Sequence, residues 1–305
     1  MPNGSESSGT PLFRGSGVAL VMPFAGDAIN EGVLRELVRF HLREGTDALV
    51  VNGSTGEATT MSPDEQRRAV EVVVDETGGR IPVIAGLGGS DTAAVARLGR
   101  QSREAGADAV LISPPPYNKP PQRGIIAHYH AVMDAADLPV IVYNVPGRTA
   151  CNVLPETIEA LADADPRVVG VKEASGDIAQ VAELARRVGG RLAIYSGNDD
   201  QVVPLMSLGG QGVISVLANV APRDTSRMAK AFLEGNTAEA CALQLRLLPL
   251  VNALFREPNP MPVKAAVAML GFDVGLPRLP LVDVTDAVRE ELRRTLSEAG
   301  LLTES

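Results

Sequence analysis

The chain has few of the residues that build disulfide frameworks and metal centres. Its 305 residues include two cysteines and three histidines. Cys151 and Cys241 form no disulfide framework, and neither has the spacing of a metal ligand. His128 and His130 lie two positions apart, so on a helix they face different sides. Because zinc needs about three or four convergent ligands, the sequence predicts no metal site.

The chain also lacks an excess of positive charge and a long apolar run. Its net charge is −9, which favours solubility and argues against nucleic acid as a partner. It has no run of about 18 apolar residues, so we expect no membrane span. Residues 1–10 are polar and lack the basic start and apolar core of a signal peptide. We expect them to be a disordered leader, and we expect the protein to be cytoplasmic.

Short apolar runs alternate with longer amphipathic segments along most of the chain. Near-continuous apolar strands are typical of a parallel sheet that is covered on both faces. We predict eight such strands, at Gly17–Phe24, Asp47–Asn52, Ile81–Gly86, Ala107–Ser113, Pro139–Asn144, Val168–Lys172, Leu192–Ser196 and Gly212–Val216. Helices are predicted after them, at Glu31–Glu44, Pro63–Glu76, Thr92–Ala105, Gly124–Ala136, Pro155–Ala162, Ile178–Val188, Gln201–Leu208 and Pro222–Glu234.

Eight strand–helix units predict a (β/α)₈ barrel over residues 11–234. A doubly wound sheet is the rival, but it has fewer strands and usually a Gly-rich dinucleotide loop. The glycines at 86–89 do not have that loop's spacing, since Asp91 holds its sixth position. Residues 235–305 are predicted to be a C-terminal helical region that packs on the barrel. Its helices are predicted at Thr237–Phe255, Met261–Leu270 and Val284–Gly300.

The sixth predicted strand ends on a lysine, Lys172. A lysine is almost never fully buried without a partner. Burial disfavours the ammonium and lowers the pKa of the amine, and a neutral amine can attack a ketone to form a Schiff base. The alternative is an ion pair with Glu173, but adjacent strand residues point to opposite faces. We therefore predict that Lys172 is a reactive amine.

Other polar residues lie at or just after the carboxyl ends of the predicted strands, where barrels carry their active sites. Tyr143 could move protons if its neighbours poise it, although an isolated tyrosine is more often a core residue. Ser54 and Thr55 lie in a Gly-flanked turn whose hydroxyls and N–H groups could hold a small carboxylate. The same Gly-Ser-Thr-Gly sequence is also simply a good turn.

Two further candidates lie in loops. Tyr117 follows three prolines, and a stiff loop of this kind could hold it over the mouth of a cavity. The rival interpretation of this loop is a polyproline ligand for a partner domain. Arg148 could bind a substrate carboxylate through its planar fork, or it could form a surface salt bridge.

Several motifs resemble those of a known superfamily, the pyruvate-dependent class I aldolases that include dihydrodipicolinate synthases and N-acetylneuraminate lyases. The resemblance extends from Phe13 to Leu302 and is greatest to the dihydrodipicolinate synthase branch. It is carried by Gly53–Glu57, Tyr143–Pro146, Val171–Ala174, Gly212–Val216 and Pro258–Lys264.

The resemblance implies a role for each candidate. Lys172 would form a Schiff base with pyruvate, and Tyr143 would donate and accept protons. Ser54, where the family usually has threonine, and Tyr117 would form a proton relay, with Tyr117 reaching in from a neighbouring subunit. Thr55 and Ile214 would bind pyruvate. Arg148 would receive the carboxylate of aspartate semialdehyde, and sialic acid lyases typically have no arginine at this position.

The implied function is condensation of pyruvate with aspartate semialdehyde by a homotetramer that needs no cofactor. Two alternatives stay open from the sequence. One is another pyruvate aldolase, acting on sialic acid or a 2-keto-3-deoxy sugar acid. The other is a catalytically silent barrel that senses small carboxylates.

The resemblance also predicts weak or absent feedback inhibition by lysine. Inhibited relatives bind lysine at a subunit interface through histidine, asparagine, glutamate and tyrosine side chains. Here the matching positions are Pro63 or Gln66, Ser90, Ala94 and Pro116. None of these side chains is a carboxylate that could pair with the ammonium group of lysine.

Overall fold

Eight parallel strands close into a barrel in the computed structural model, which describes residues 11–302. The predicted leader at residues 1–10 lies outside the described residues. Each strand pairs with its sequence neighbours, and the first strand pairs with both the second and the last. The strands are β1 Gly15–Ala19, β2 Ala48–Val51, β3 Val83–Leu87, β4 Ala109–Ile112, β5 Val140–Asn144, β6 Val168–Glu173, β7 Ala193–Ser196 and β8 Gly212–Ser215.

Helices connect the strands and cover the outside of the barrel. The second helix shows how local sequence sets its start. Ser62 caps it in a capping box with Glu65, and Pro63 occupies its first turn, where the missing N–H costs nothing. The helices are α1 Glu31–Glu44, α2 Pro63–Thr77, α3 Thr92–Glu104, α4 Gln122–Ala136, α5 Pro146–Thr149, α6 Pro155–Ala164, α7 Ile178–Val188, α8 Val202–Ser207, α9 Pro222–Leu233, α10 Thr237–Leu254, α11 Met261–Met269 and α12 Asp286–Glu298.

The closed barrel confirms the predicted fold and excludes the doubly wound sheet. The first predicted strand, Gly17–Phe24, was wrong at both ends, since β1 spans Gly15–Ala19. After β1 the backbone leaves the ladder, and the N–H of Val21 donates to the Asn219 side chain at 3.0 Å. Phe24 instead begins a separate two-stranded hairpin, Phe24–Ala25 with Ala28–Ile29. The apolar sequence is continuous across both elements, so apolarity alone could not separate them.

The three helices after the barrel pack against it, as the absence of a long linker predicted. Gln244 of α10 donates to the backbone carbonyl of Asp199 at 2.8 Å, and Arg246 bonds Asp224 of α9 at 2.6 Å. A domain boundary after residue 234 stays a prediction. Between residues 11 and 302, no helix is long and apolar enough to cross a membrane.

Candidate active site

Lys172 points into the barrel because strand β6 contains an irregularity. Val140 pairs with Val168, but the next residue, Ile141, pairs with Gly170, so one extra residue is inserted in β6. Such a bulge re-aims the side chains that follow it. Val169 packs in the cluster inside the barrel and Val171 in the outer cluster. Lys172 therefore faces inward. It follows the inward-facing Val169 by three residues, whereas side chains on one face of a regular strand are separated by two or four.

The Lys172 amine is buried. The residue is 5% exposed, and its Nζ is 4.5 Å from the centre of the Tyr143 ring. Burial lowers the pKa of Lys172 to about 8; the charge of Arg148 also lowers it, and that of Asp199 opposes the shift. A substantial fraction of the amine is consequently neutral near pH 8, and a neutral amine is the nucleophile that a Schiff base requires.

Glu173 does not neutralise Lys172. Its carboxylate accepts hydrogen bonds from the Asn144 side chain at 3.1 Å, the Ser175 backbone N–H at 2.7 Å and the Gln180 side chain at 3.3 Å. The adjacent residues of the strand point to opposite faces, as strand geometry requires. The predicted absence of a Lys172–Glu173 pair is confirmed by these contacts.

A small cavity of about 80 Å³ opens at the carboxyl ends of the strands. This volume is large enough for several water-sized groups, so it suits a small substrate. Five of the seven residues predicted for the site line it: Ser54, Thr55, Tyr143, Arg148 and Lys172. Among the remaining lining residues are Val145, Gly197, Asn198, Val216, Phe255 and Asn259.

Tyr143 lies between the amine and the turn after β2. Burial raises the pKa of Tyr143 to about 12, opposed by the positive charge of Arg148 and by a hydrogen bond with Ser54. The phenol is therefore protonated at neutral pH and can donate a proton. Its contact with Ser54 gives that proton a hydroxyl neighbour through which it can be exchanged.

The turn that carries Ser54 and Thr55 exposes donors to the cavity. In the described part of the chain, neither of their backbone N–H groups has an acceptor. The Thr55 Oγ accepts a hydrogen bond from the Asn259 amide at 3.0 Å, so its own proton remains available to a ligand. The turn also packs tightly on β3, because a Cβ on Gly86 would lie 2.5 Å from the Asn52 carbonyl oxygen. These groups together form a site suited to a carboxylate.

Arg148 is positioned from two sides. It belongs to the short helix α5, which the sequence analysis did not predict, and its Nη2 donates to the Asn259 carbonyl at 3.0 Å. The remaining guanidinium donors are free to receive a second carboxylate. No acidic side chain within residues 11–302 forms a salt bridge with Arg148, which argues against the surface salt-bridge interpretation.

Two predicted residues do not line the cavity of this chain. Tyr117 is 90% exposed, with a left-handed φ of 68°. Its loop is held by hydrogen bonds from Ser90 Oγ to the Pro116 carbonyl and from Asn118 to the Ser90 carbonyl. Ile214 lies in β8 and is fully buried in the cluster inside the barrel. The roles of both residues stay predictions.

Two functional candidates had no role assigned from the sequence. Asn259 contacts both Thr55 and Arg148, although it lies more than a hundred residues from each. Asp199 is 1% exposed, and it accepts from Ser215 Oγ at 2.5 Å and from two backbone N–H groups. Burial raises the pKa of Asp199, opposed by the hydrogen bonds it accepts and by the positive charge of Lys172. An acidic residue just after a predicted barrel strand is the sequence signal that could have identified Asp199.

Comparison with known proteins gives a consistent result. The model of the Dihydrodipicolinate synthetase family matches residues 12–299. The 4-hydroxy-tetrahydrodipicolinate synthase of Thermoanaerobacter sp. (strain X514) is 51% identical over 295 residues, 97% of this chain and 99% of that protein. The dihydrodipicolinate synthase structure from Thermotoga maritima has a TM-score of 0.93 at 41% identity, covering 95% of this chain and 100% of that one. A structure of the Cyanidioschyzon merolae enzyme with lysine bound has a TM-score of 0.93 at 40% identity, covering 96% and 100%.

Proposed function

Because the chain belongs to the dihydrodipicolinate synthetase family, we propose that it condenses pyruvate with L-aspartate 4-semialdehyde to form 4-hydroxy-tetrahydrodipicolinate. The observation that carries this proposal is the buried Lys172 amine, with its lowered pKa, beside a carboxylate-binding turn and a protonated tyrosine. The names of the relatives favour this reaction over sugar-acid cleavage and over a silent sensing barrel.

The first half of the reaction makes a carbon nucleophile. The Lys172 Nζ attacks the keto carbon of pyruvate, and the carbinolamine loses water to give an iminium ion. The pyruvate carboxylate lies on the turn of Ser54 and Thr55. Loss of a methyl proton then gives the enamine. The imine is the electron sink for this step, so the reaction needs no metal or organic cofactor.

The second half forms the carbon–carbon bond. The enamine carbon attacks the aldehyde of the semialdehyde, whose carboxylate lies on Arg148. The new alkoxide takes a proton from the relay that starts at Tyr143. The substrate's own amine then attacks the former keto carbon, closes the ring and releases the Lys172 amine. Atoms and charges balance with one water released in imine formation.

We also propose that Tyr117 completes the site of a second copy of the chain in a homotetramer. Its exposure of 90% and its left-handed backbone support this role, since backbone strain is retained mainly where function uses it. Analytical ultracentrifugation measures the size of the oligomer. Mixing Tyr117→Phe protomers with Lys172→Met protomers tests whether Tyr117 serves the site of a neighbouring copy. Partial recovery of activity in the mixture is expected, and none in either homomer; a fully active Tyr117→Phe homomer would exclude the role.

Borohydride reduction in the presence of pyruvate tests the Schiff base. We expect one pyruvyl mass adduct on Lys172 and none in Lys172→Met, with Lys119→Met, which removes an exposed lysine, as the matched control. Turnover is then compared between aspartate semialdehyde and N-acetylneuraminate. Absence of the adduct would exclude the aldolase chemistry, and an adduct with preferential turnover of the sugar acid would exclude the proposed substrate.

A further inference from the structure

A buried ion pair lies behind the turn that carries Ser54 and Thr55. The Lys264 Nζ is 2.6 Å from Glu57 Oε1, and both side chains are almost completely buried, at 1% and 0% exposure. Glu57 ends the turn with a left-handed φ of 53°. Its second oxygen accepts the backbone N–H of Arg278 at 2.8 Å, so both carboxylate oxygens have partners.

The donors of Lys264 are also used. Besides Glu57, the ammonium donates to the Leu276 carbonyl at 3.0 Å and lies 4.3 Å from the centre of the Phe24 ring. The Arg278 guanidinium lies 4.0 Å from the same ring. A buried pair of this kind is weak evidence for stability, because its desolvation cost can match the attraction. Because both side chains have all these partners, the pair is better explained as a device that fixes the position of the turn than as a source of stability.

The pair connects the cavity to the C-terminal helical region. Lys264 belongs to α11, and Asn259, five residues earlier, donates to Thr55 Oγ and accepts from Arg148. One short segment of the C-terminal region therefore contacts the turn at two positions and the guanidinium at a third. Ser54, the other candidate residue of the turn, faces Tyr143 and not the C-terminal helical region.

We propose that the Lys264–Glu57 ion pair is a positioning device that sets the Ser54–Thr55 turn at the distance from Lys172 that the pyruvate carboxylate requires. This rests on the proposed function, in which that turn binds pyruvate. The C-terminal region thus controls the affinity of the barrel for its first substrate. Neither Lys264 nor Glu57 touches the reacting atoms.

The test separates pyruvate affinity from stability. We would measure, for folded protein, the pyruvate concentration that gives half-maximal borohydride trapping, together with kcat and the thermal midpoint. Lys264→Met and Glu57→Gln are each expected to raise the half-saturating pyruvate concentration roughly tenfold or more. A change of this size corresponds to the loss of about one hydrogen bond between the turn and the pyruvate carboxylate. Trapping at saturating pyruvate should still reach one adduct per chain. Glu57→Gln preserves the side-chain shape and serves if Lys264→Met does not fold.

Two further variants identify the cause. Leu292→Ala removes a buried side chain of α12 that takes no part in the hydrogen bonds of the Lys264–Glu57 pair; it should lower the thermal midpoint and leave half-saturation within about twofold. The double variant Glu57→Gln with Lys264→Met removes both charges, so it should recover stability but not pyruvate affinity.

The outcomes are distinct. Unchanged half-saturation in folded Glu57→Gln would overturn the proposal, as would a double variant that recovers full affinity or a Leu292→Ala variant that weakens binding equally. If the unmodified enzyme formed no adduct at all, the proposed function would fail first. An adduct in the unmodified enzyme with unaltered affinity in the variants would remove only the positioning role.

Discussion

Replacing Lys172 by methionine should abolish activity and at the same time stabilise the fold. Methionine has a similar length and carries no charge into the barrel. The pKa of Lys172 falls from 10.5 to about 8, mainly through burial. At 1.36 kcal/mol for each pKa unit, the charged lysine costs the folded state about 3 kcal/mol at neutral pH. The pKa of about 8 already includes the opposing attraction of buried Asp199, so about 3 kcal/mol is the expected gain in the free energy of unfolding.

The pH dependence follows from the direction of the shift. Below about pH 8 the amine is protonated in both the folded and the unfolded chain, and the full cost is present. Between about pH 8 and 10.5 the unfolded chain binds the proton and the folded chain does not, so the stability of the unmodified protein rises with pH. Lys172→Met lacks this contribution. Its advantage in free energy of unfolding should therefore be largest near pH 7 and shrink as the pH approaches 10.

Urea denaturation of both proteins at equal concentration, at pH 7, 8.5 and 9.5, measures this difference. Lys119→Met, which removes an exposed lysine, is the matched control and should show no such trend. A Lys172→Met variant that is no more stable than the unmodified protein, with a difference independent of pH, would refute the burial argument. Loss of activity without that trend would leave Lys172 essential but would show that its charge is well solvated.

Four further results are expected. Tyr143→Phe should lower kcat by about 10²- to 10⁴-fold in steady-state assays and still form the pyruvate adduct; a near-normal kcat would exclude Tyr143 from proton transfer. Gly170→Ala places a Cβ 2.9 Å from the Ala193 carbonyl oxygen, so it should displace the bulge and lower kcat, and a fully active variant would show that the bulge does not aim Lys172. Arg148→Ala should raise the half-saturating concentration of semialdehyde more than it raises that of pyruvate. Because the Arg148 charge lowers the pKa of Lys172, the variant should also move the pH midpoint of adduct formation to a higher value. No change in either quantity would contradict both roles of Arg148. Free lysine titrated to millimolar levels should leave the rate unchanged, and strong inhibition would show that the substituted positions still bind it.

The candidate site residues that line the cavity share a property. Each lies at the carboxyl end of a short apolar strand or just after it, and the closed parallel barrel brings those strand ends to one face. The sequence alone therefore groups Ser54, Thr55, Tyr143, Arg148 and Lys172, and all five line one cavity. Tyr117 also follows a strand, but its loop carries it to the surface and away from the cavity of its own chain.

Apolar periodicity determined the order of the strands and helices, because each element buries its own local pattern. It could not determine where β1 ends, since the residues leading to the Phe24 hairpin are equally apolar. Nor could it show that β6 inserts an extra residue, which is what turns Lys172 inward. The contacts that fix the carboxylate-binding turn are the clearest case. Asn259 meets Thr55 across 204 residues and Lys264 meets Glu57 across 207, and only closure of the barrel under the C-terminal helices brings such distant side chains within hydrogen-bonding distance.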